Sequence, residues 1–428
     1  MAPAEPAEGQ GGAAAGRGTG KAKGKGGPPP PPSGEAAAKA RAEAEAKRKE
    51  QAERQKQDAQ EQAARTKALA EAKRDLAGRL HLLRPISIHG VNWREAKLML
   101  HLVGGKGTEL QSGVHVVEFE GGGAVCLRRQ SELFPTELVA DRAAAAMNVP
   151  VARYRLVHPE IDSEEYDLIE QERNRVDPGV FAETVAWAEQ YLLKLKESNP
   201  EEYERASRQM ASVFNKGTVA VLEFVQGAAL DRAPPGLAEA KAETLRGLGR
   251  LCALDALLNN MDRLPLPLWG NSGNLTNVLV RESGDVVGVD QQANAPAGEA
   301  RRQYLGRVRG LARQLLGGAP GEPEDAEQSP AAVSERLLVA IREKCSVELS
   351  ATSLALVNEG LRSGLLDAAA CYDSGALRRG LDEAVAEAGR RVKHGGNNSC
   401  LPDPGEDARK HADFVLEVAE EVAALARA

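Results

Sequence analysis

The chain has 428 residues, 42% hydrophobic and 27% charged, a globular composition with room for one large or two ordinary domains. Aromatic residues are only 4%, which argues against base-stacking platforms for single-stranded nucleic acid. The net charge of −7 is uneven: residues 1–80 hold 16 Lys and Arg against 11 Asp and Glu, and the remainder 39 against 51. So acidic a body is a poor nucleic-acid binder and would sooner meet a basic partner surface.

The N-terminal stretch has acids at Glu5 and Glu8 and no apolar core, so it does not read as a secretory leader. No run approaches 18 apolar residues, so no membrane span is expected. Cys126, Cys252, Cys345, Cys371 and Cys400 form no C-x-x-C pair and are expected as free thiols in a reducing compartment. A cytoplasmic location follows as the expectation; oligomeric state does not.

Residues 1–34 are low in complexity, with the run Pro28 to Pro32, and read as a disordered arm. Residues 35–83 are nearly all Ala, Glu, Lys, Arg and Gln, which predicts a charged helix. Its large apolar residues, Leu69, Leu76, Leu80, Leu82 and Leu83, gather at the end. Docking is therefore expected only through the last two turns, with no sustained coiled-coil seam.

From residue 84 the pattern turns to short apolar runs. Segments 113–119 and 124–128 read as two strands joined at Gly121-Gly122-Gly123. An amphipathic helix is predicted over 135–147, a strand over 149–157, a helical insertion over about 181–213 and a strand over 218–225. Residues 240–260 read as a helix. Beyond residue 300 the chain is read as mainly helical to 393, broken by a linker at 317–329. A linker at 394–408 then leads to a last amphipathic helix over 409–428.

The most telling stretch begins where the helix over 240–260 ends. Asp262 stands on a polar loop, Asn277 just before a short apolar strand, and Asp290 just after the next one. Protein kinases order their phosphoryl-transfer residues in this way: an Asp that orients the acceptor hydroxyl, then an Asn and an Asp that hold magnesium. A glycine-rich turn around Gly105 and Gly107 could cover phosphates, although such turns are common. Arg128 (or Arg129) on the second strand and Glu137 in the following helix stand where a kinase keeps its Lys–Glu pair. Glu223, Phe224 and Val225 lie where the strand meets the expected hinge.

The segments 221–227, 255–265, 269–271, 273–279 and 289–290 together resemble the actin-fragmin kinase catalytic domain, an atypical group related to eukaryotic protein kinases. The likeness spans roughly 85–390 and is sharpest over 218–295. It implies an α+β, two-lobed kinase-like fold over 84–393, with a small lobe to about 225 and a helical lobe from 226. It also implies ATP and Mg2+ as cofactors and transfer to a Ser or Thr of a protein, actin or an actin-binding complex. By position, Asp262 would be the catalytic Asp, supported by Arg128 and Glu137. Asn277 and Asp290 would be the metal ligands, Gly105 and Gly107 the phosphate loop, and Glu223, Phe224 and Val225 the adenine edge. Asp262 and Asn277 are 15 positions apart against roughly five in ordinary kinases; an insertion around Pro265 and Trp269 fills the difference.

Arg in place of Lys keeps the charge but not the shape, so a pseudokinase scaffold is the alternative reading. A lipid kinase ranks below both, because the body lacks a basic patch for an anionic membrane. Asn274 competes with Asn277 as the ligand. Arg263 could steady the loop or meet the γ-phosphate, and Asp255 reads as structural.

Overall fold

The computed structural model describes residues 34–102, 114–129, 134–176, 180–200, 203, 207, 218–232, 242–266, 268–269, 273–317, 330–392 and 403–428. Contacts divide the chain into Met1–Lys67 and Ala68–Ala428. In the first unit the described residues belong to helix α1 (Gly34–Gly78). Its charges pair one turn apart, Lys49 with Glu45 at 3.1 Å and Arg54 with Glu50 at 3.5 Å. Such solvated pairs add little, and helix propensity carries this stretch.

In the second unit, apolar alternation builds an antiparallel sheet from β2 (Ala96–Leu102), β3 (Val114–Phe119), β4 (Gly123–Arg129), β5 (Tyr154–Val157) and β6 (Val219–Glu223). The order is β2-β3-β4-β6-β5, and the short β1 (Arg84–Pro85) adds to β4 in parallel. A second antiparallel sheet joins β7 (Ala228–Ala229), β8 (Val278–Val280) and β9 (Val286–Gly288). The architecture is α+β.

The strand expected over 149–157 is confined to Tyr154–Val157. The residues before it are drawn elsewhere: Ala152 N–H donates to Gly288 O at 2.8 Å and Gly288 N–H to Pro150 O at 3.0 Å. The helical insertion is longer than the sequence suggested, with α3 (Ser163–Val176) preceding α4 (Val180–Ser198). Helix α3 is polar overall, yet Tyr166, Ile169 and Val176 lie on one face and pack with Met99, Val117, Val125 and Val221 of the large sheet.

Helix α2 (Phe134–Ala146) was expected to be amphipathic, but Thr136, Glu137 and Asp141 are buried along with Leu138, Val139, Ala140, Ala143 and Ala144. Late segments cover its outer side. These are α9 (Ala376–Val392) and α10 (Pro404–Arg427). The C-terminal helix thus closes the body: Phe414 packs on Tyr304 with ring centroids 5.7 Å apart, and Arg309 Nε bonds Glu421 at 2.8 Å.

The remaining core is helical, formed by α5 (Ala242–Leu258), α6 (Gly298–Leu316), α7 (Pro330–Cys345) and α8 (Ala351–Asp373). Helices α5 and α8 cross at glycines. A Cβ on Gly249 would come within 2.1 Å of Val357 O, and one on Gly360 within 2.1 Å of Arg246 O. Only bare backbone allows so close a crossing.

One buried titratable group of α2 lends itself to a measurement. Asp141 is 5% exposed, and burial pushes its carboxyl up to about 6, with Glu387 adding to the rise and Arg142 and Arg153 opposing it. A folded-state value above the unfolded one means that the cost of ionisation is absent below about pH 4 and complete above about pH 6. Wild-type stability, read by urea denaturation, should therefore fall relative to Asp141→Asn across that window, by roughly 2–3 kcal/mol. Parallel pH curves for the two proteins would refute this.

Among the described residues, Cys126, Cys252, Cys345 and Cys371 are free thiols, and no helix is long and apolar enough to cross a membrane.

Candidate active site

The site is assembled at the end of α5, where the chain leaves the helix through Asn259, held at φ +53°. Asn accepts this left-handed geometry more readily than most residues. Its side chain spends its polar atoms on the turn: Oδ1 accepts from Trp269 Nε1 at 2.6 Å, and Nδ2 donates to Asn294 O at 2.8 Å. Asn260 next orders the loop, donating to Asp255 Oδ1 at 3.1 Å and accepting from Asp262 N–H at 3.3 Å.

Arg263 follows and is fully buried. Its Nη1 meets Asp255 Oδ1 at 3.0 Å, with both side chains at 0% exposure. Burial pushes the Asp255 carboxyl up to about 7, against the pull of Arg263 and Asn260. Arg263 therefore anchors the loop to α5. It also lies so close to β9 that a Cβ on Gly288 would be 2.8 Å from its Nη1, which explains the glycine two positions before Asp290.

Asp262, Asn277 and Asp290 converge. Asn277 Nδ2 donates to Asp262 O at 2.8 Å and to Asp262 Oδ2 at 3.3 Å. Val289 N–H donates to Asn277 O at 2.9 Å, which brings the end of β9 alongside. The Asp262 carboxyl is raised above its ordinary value, by burial first and then by the Asp290 charge, while Asn277, Arg263 and Asn274 act in the opposite sense. Asn274 also caps the turn before β8, accepting from Thr276 N–H at 3.3 Å.

Asp290 adopts φ +55°, a conformation costly for a non-glycine residue and held only when neighbours impose it. The following loop does so. Gln291 Nε2 donates to Ala152 O at 3.1 Å, Ala293 N–H to Thr136 O at 3.1 Å and Asn294 N–H to Leu258 O at 2.9 Å. Ala295 N–H donates to His411 Nδ1 at 3.1 Å. The sequence offered no sign that His411 or Gln291 supports this loop, because their partners are remote in the chain.

Arg128 links the sheet to this centre. Nη1 donates to Asp290 Oδ1 at 2.8 Å, and Nη2 is hydrogen-bonded to Glu137 Oε2. Burial disfavours the guanidinium charge, but Glu137 and Asp290 more than offset this and hold Arg128 firmly protonated. One cation thus joins the acid of α2 to the acid after β9.

The expected hinge residues part company. Glu223 N–H donates to Arg153 O at 2.8 Å, and its carboxylate meets Arg153 Nε at 3.2 Å and Arg281 Nη2 at 3.5 Å. Phe224 is buried among Leu76, Leu83 and Val116. Val225 joins Ala152 and Val287, with Leu279 and Val289 beside them. Gly105 and Gly107 lie outside the described residues.

A cation-linked pair of acids beside an Asp–Asn loop is the arrangement expected of a kinase-type catalytic domain. The family within that class follows from comparison. Residues 86–294 match the family described as "Actin-fragmin kinase, catalytic", and this part of the chain belongs to it. No curated protein matches the chain.

Proposed function

We propose that this protein is an ATP- and magnesium-dependent protein kinase of the actin-fragmin kinase type. It would transfer the γ-phosphate to a Ser or Thr hydroxyl of a protein, with actin or an actin-binding complex as the first candidate. On this reading the large sheet with α2 is the small lobe of a two-lobed kinase-like fold, and the helical core is the larger lobe. The convergence of Asp262, Asn277 and Asp290, with Arg128 bonded to both Glu137 and Asp290, carries the proposal.

The donor set suits magnesium, a hard cation that prefers oxygen. Arg128 takes Oδ1 of Asp290, and Asn277 turns its Nδ2 to Asp262. Asp290 Oδ2 and Asn277 Oδ1 would hold the metal, whose role when bound is to neutralise charge on the phosphate oxygens. Arg128 would meet the phosphates as a fixed cation, kept in place by Glu137. Asp262 would orient the acceptor hydroxyl and take its proton late in the transfer. Backbone groups of Glu223 and Val225 would meet the adenine edge.

Arg128 at the lysine position is the one feature that favours a nucleotide-binding scaffold instead. A thermal-shift titration of the full chain with ATP, with and without magnesium, tests the proposal. Wild type should gain several degrees at saturating nucleotide only when magnesium is present, and Asp290→Ala should lose that gain. The absence of any shift at millimolar ATP would reject the nucleotide site.

A further inference from the structure

The part of the chain just before the family match lies against the proposed nucleotide site. Strand register puts Val116, Ala124, Cys126, Arg128, Ala220 and Leu222 on one face of the large sheet. Val116 pairs with Cys126 across β3 and β4, and Cys126 with Leu222 and Arg128 with Ala220 across β4 and β6. Arg128 marks the end of that face nearest α2. The other end is covered by the last turns of α1 and the residues after it. Leu76 is 0% and Leu83 is 1% exposed, in one cluster with Leu98, Val116, Ala124 and Phe224.

Two polar clamps fix this segment. Arg79 makes a forked pair of 2.7 Å bonds to the carboxylate of Glu118, which is only 2% exposed. Gln226 Nε2, one residue beyond Val225, donates to His81 O at 2.6 Å. The segment is therefore tied both to the sheet face and to the stretch expected to meet adenine.

The apolar clusters separate a wall from a plug. Val225, Leu279, Val287 and Val289 form their own group with Ala152, and it shares no member with the group that holds Leu76 and Leu83. A segment that filled the space between the two sheets would pack on both. Among the described residues, the apolar side chains of this one group with the large sheet and Phe224 and not with the second group.

We propose that residues 76–83 form the outer wall of the nucleotide site and bind the base and ribose end of the nucleotide, away from its phosphates. The proposal rests on the kinase reading above. A wall at the base end makes the last turn of the charged helix part of the binding site.

Hydrogen exchange on the full chain tests this, with magnesium present throughout and either ATP or inorganic tripolyphosphate as the ligand. ATP should slow exchange both in 76–83 and in 223–227, and tripolyphosphate should slow it in neither. The double variant Arg79→Met with Glu118→Gln removes the fork without leaving a buried charge unpaired. It should weaken ATP binding about tenfold and leave tripolyphosphate binding unchanged. Protection of 223–227 without 76–83, or unchanged or tighter ATP binding by the variant, would overturn the wall and leave the kinase reading standing. ATP protection in neither segment would overturn both.

Discussion

Replacing Asp262 by Asn is expected to slow phosphoryl transfer by about 10²–10⁴-fold, the usual contribution of a positioned acid–base group. ATP affinity should hardly change. The substitution keeps the shape of the side chain and an oxygen for Asn277 Nδ2, which now bonds Asp262 O and Oδ2, so the loop should survive it. The mutant's melting temperature and magnesium-dependent ATP shift should match those of wild type, separating lost chemistry from lost binding. The wild-type rate should also fall on the acid side at a pH above the ordinary aspartate range. Burial and the Asp290 charge raise the Asp262 carboxyl, and only its ionised form can accept the hydroxyl proton. A wild-type transfer rate in the Asp262→Asn variant would remove Asp262 from the mechanism.

Arg263→Met should be strongly destabilising, costing about 3–5 kcal/mol because it strands a buried carboxylate. Asp255 and Arg263 are both at 0% exposure. Their bonding is also incomplete: Asp255 Oδ2 and Arg263 Nε and Nη2 find no partner among the described residues. An incompletely bonded buried pair can often be replaced by apolar side chains at little cost. The double variant Asp255→Leu with Arg263→Met should therefore recover most of the loss in chemical denaturation. It should stay slow in transfer, because the loop that carries Asp262 loses its tie to α5. Additive losses in the double variant would show that the two residues do not act as a pair.

Much of the candidate site was legible because its spacing is local. The end of α5, the polar loop, the two short strands and the acid after them follow one another within 255–290, and hydrophobic alternation marks each edge. Helix α3 was missed although Tyr166, Ile169 and Val176 carry a helical period, since charged residues surround them. The glycine turn around Gly105 and Gly107 lies outside the described residues.

What the sequence by itself determined is the order of most elements, the charged helix and the succession Asp262, Asn277, Asp290. Those features depend on side-chain period and backbone preference over a few neighbouring residues. The tertiary structure decided which partners they meet. Arg128 bonds an acid nine positions away and another 162 away. Arg263, polar by type, is sealed in the core by Asp255. Helix α2 is buried on faces that its sequence left polar, because helices from the far end of the chain cover it. The end of α1 settles on the sheet face that also presents Arg128. A local pattern records that a surface seeks cover, and only the packed chain determines what covers it.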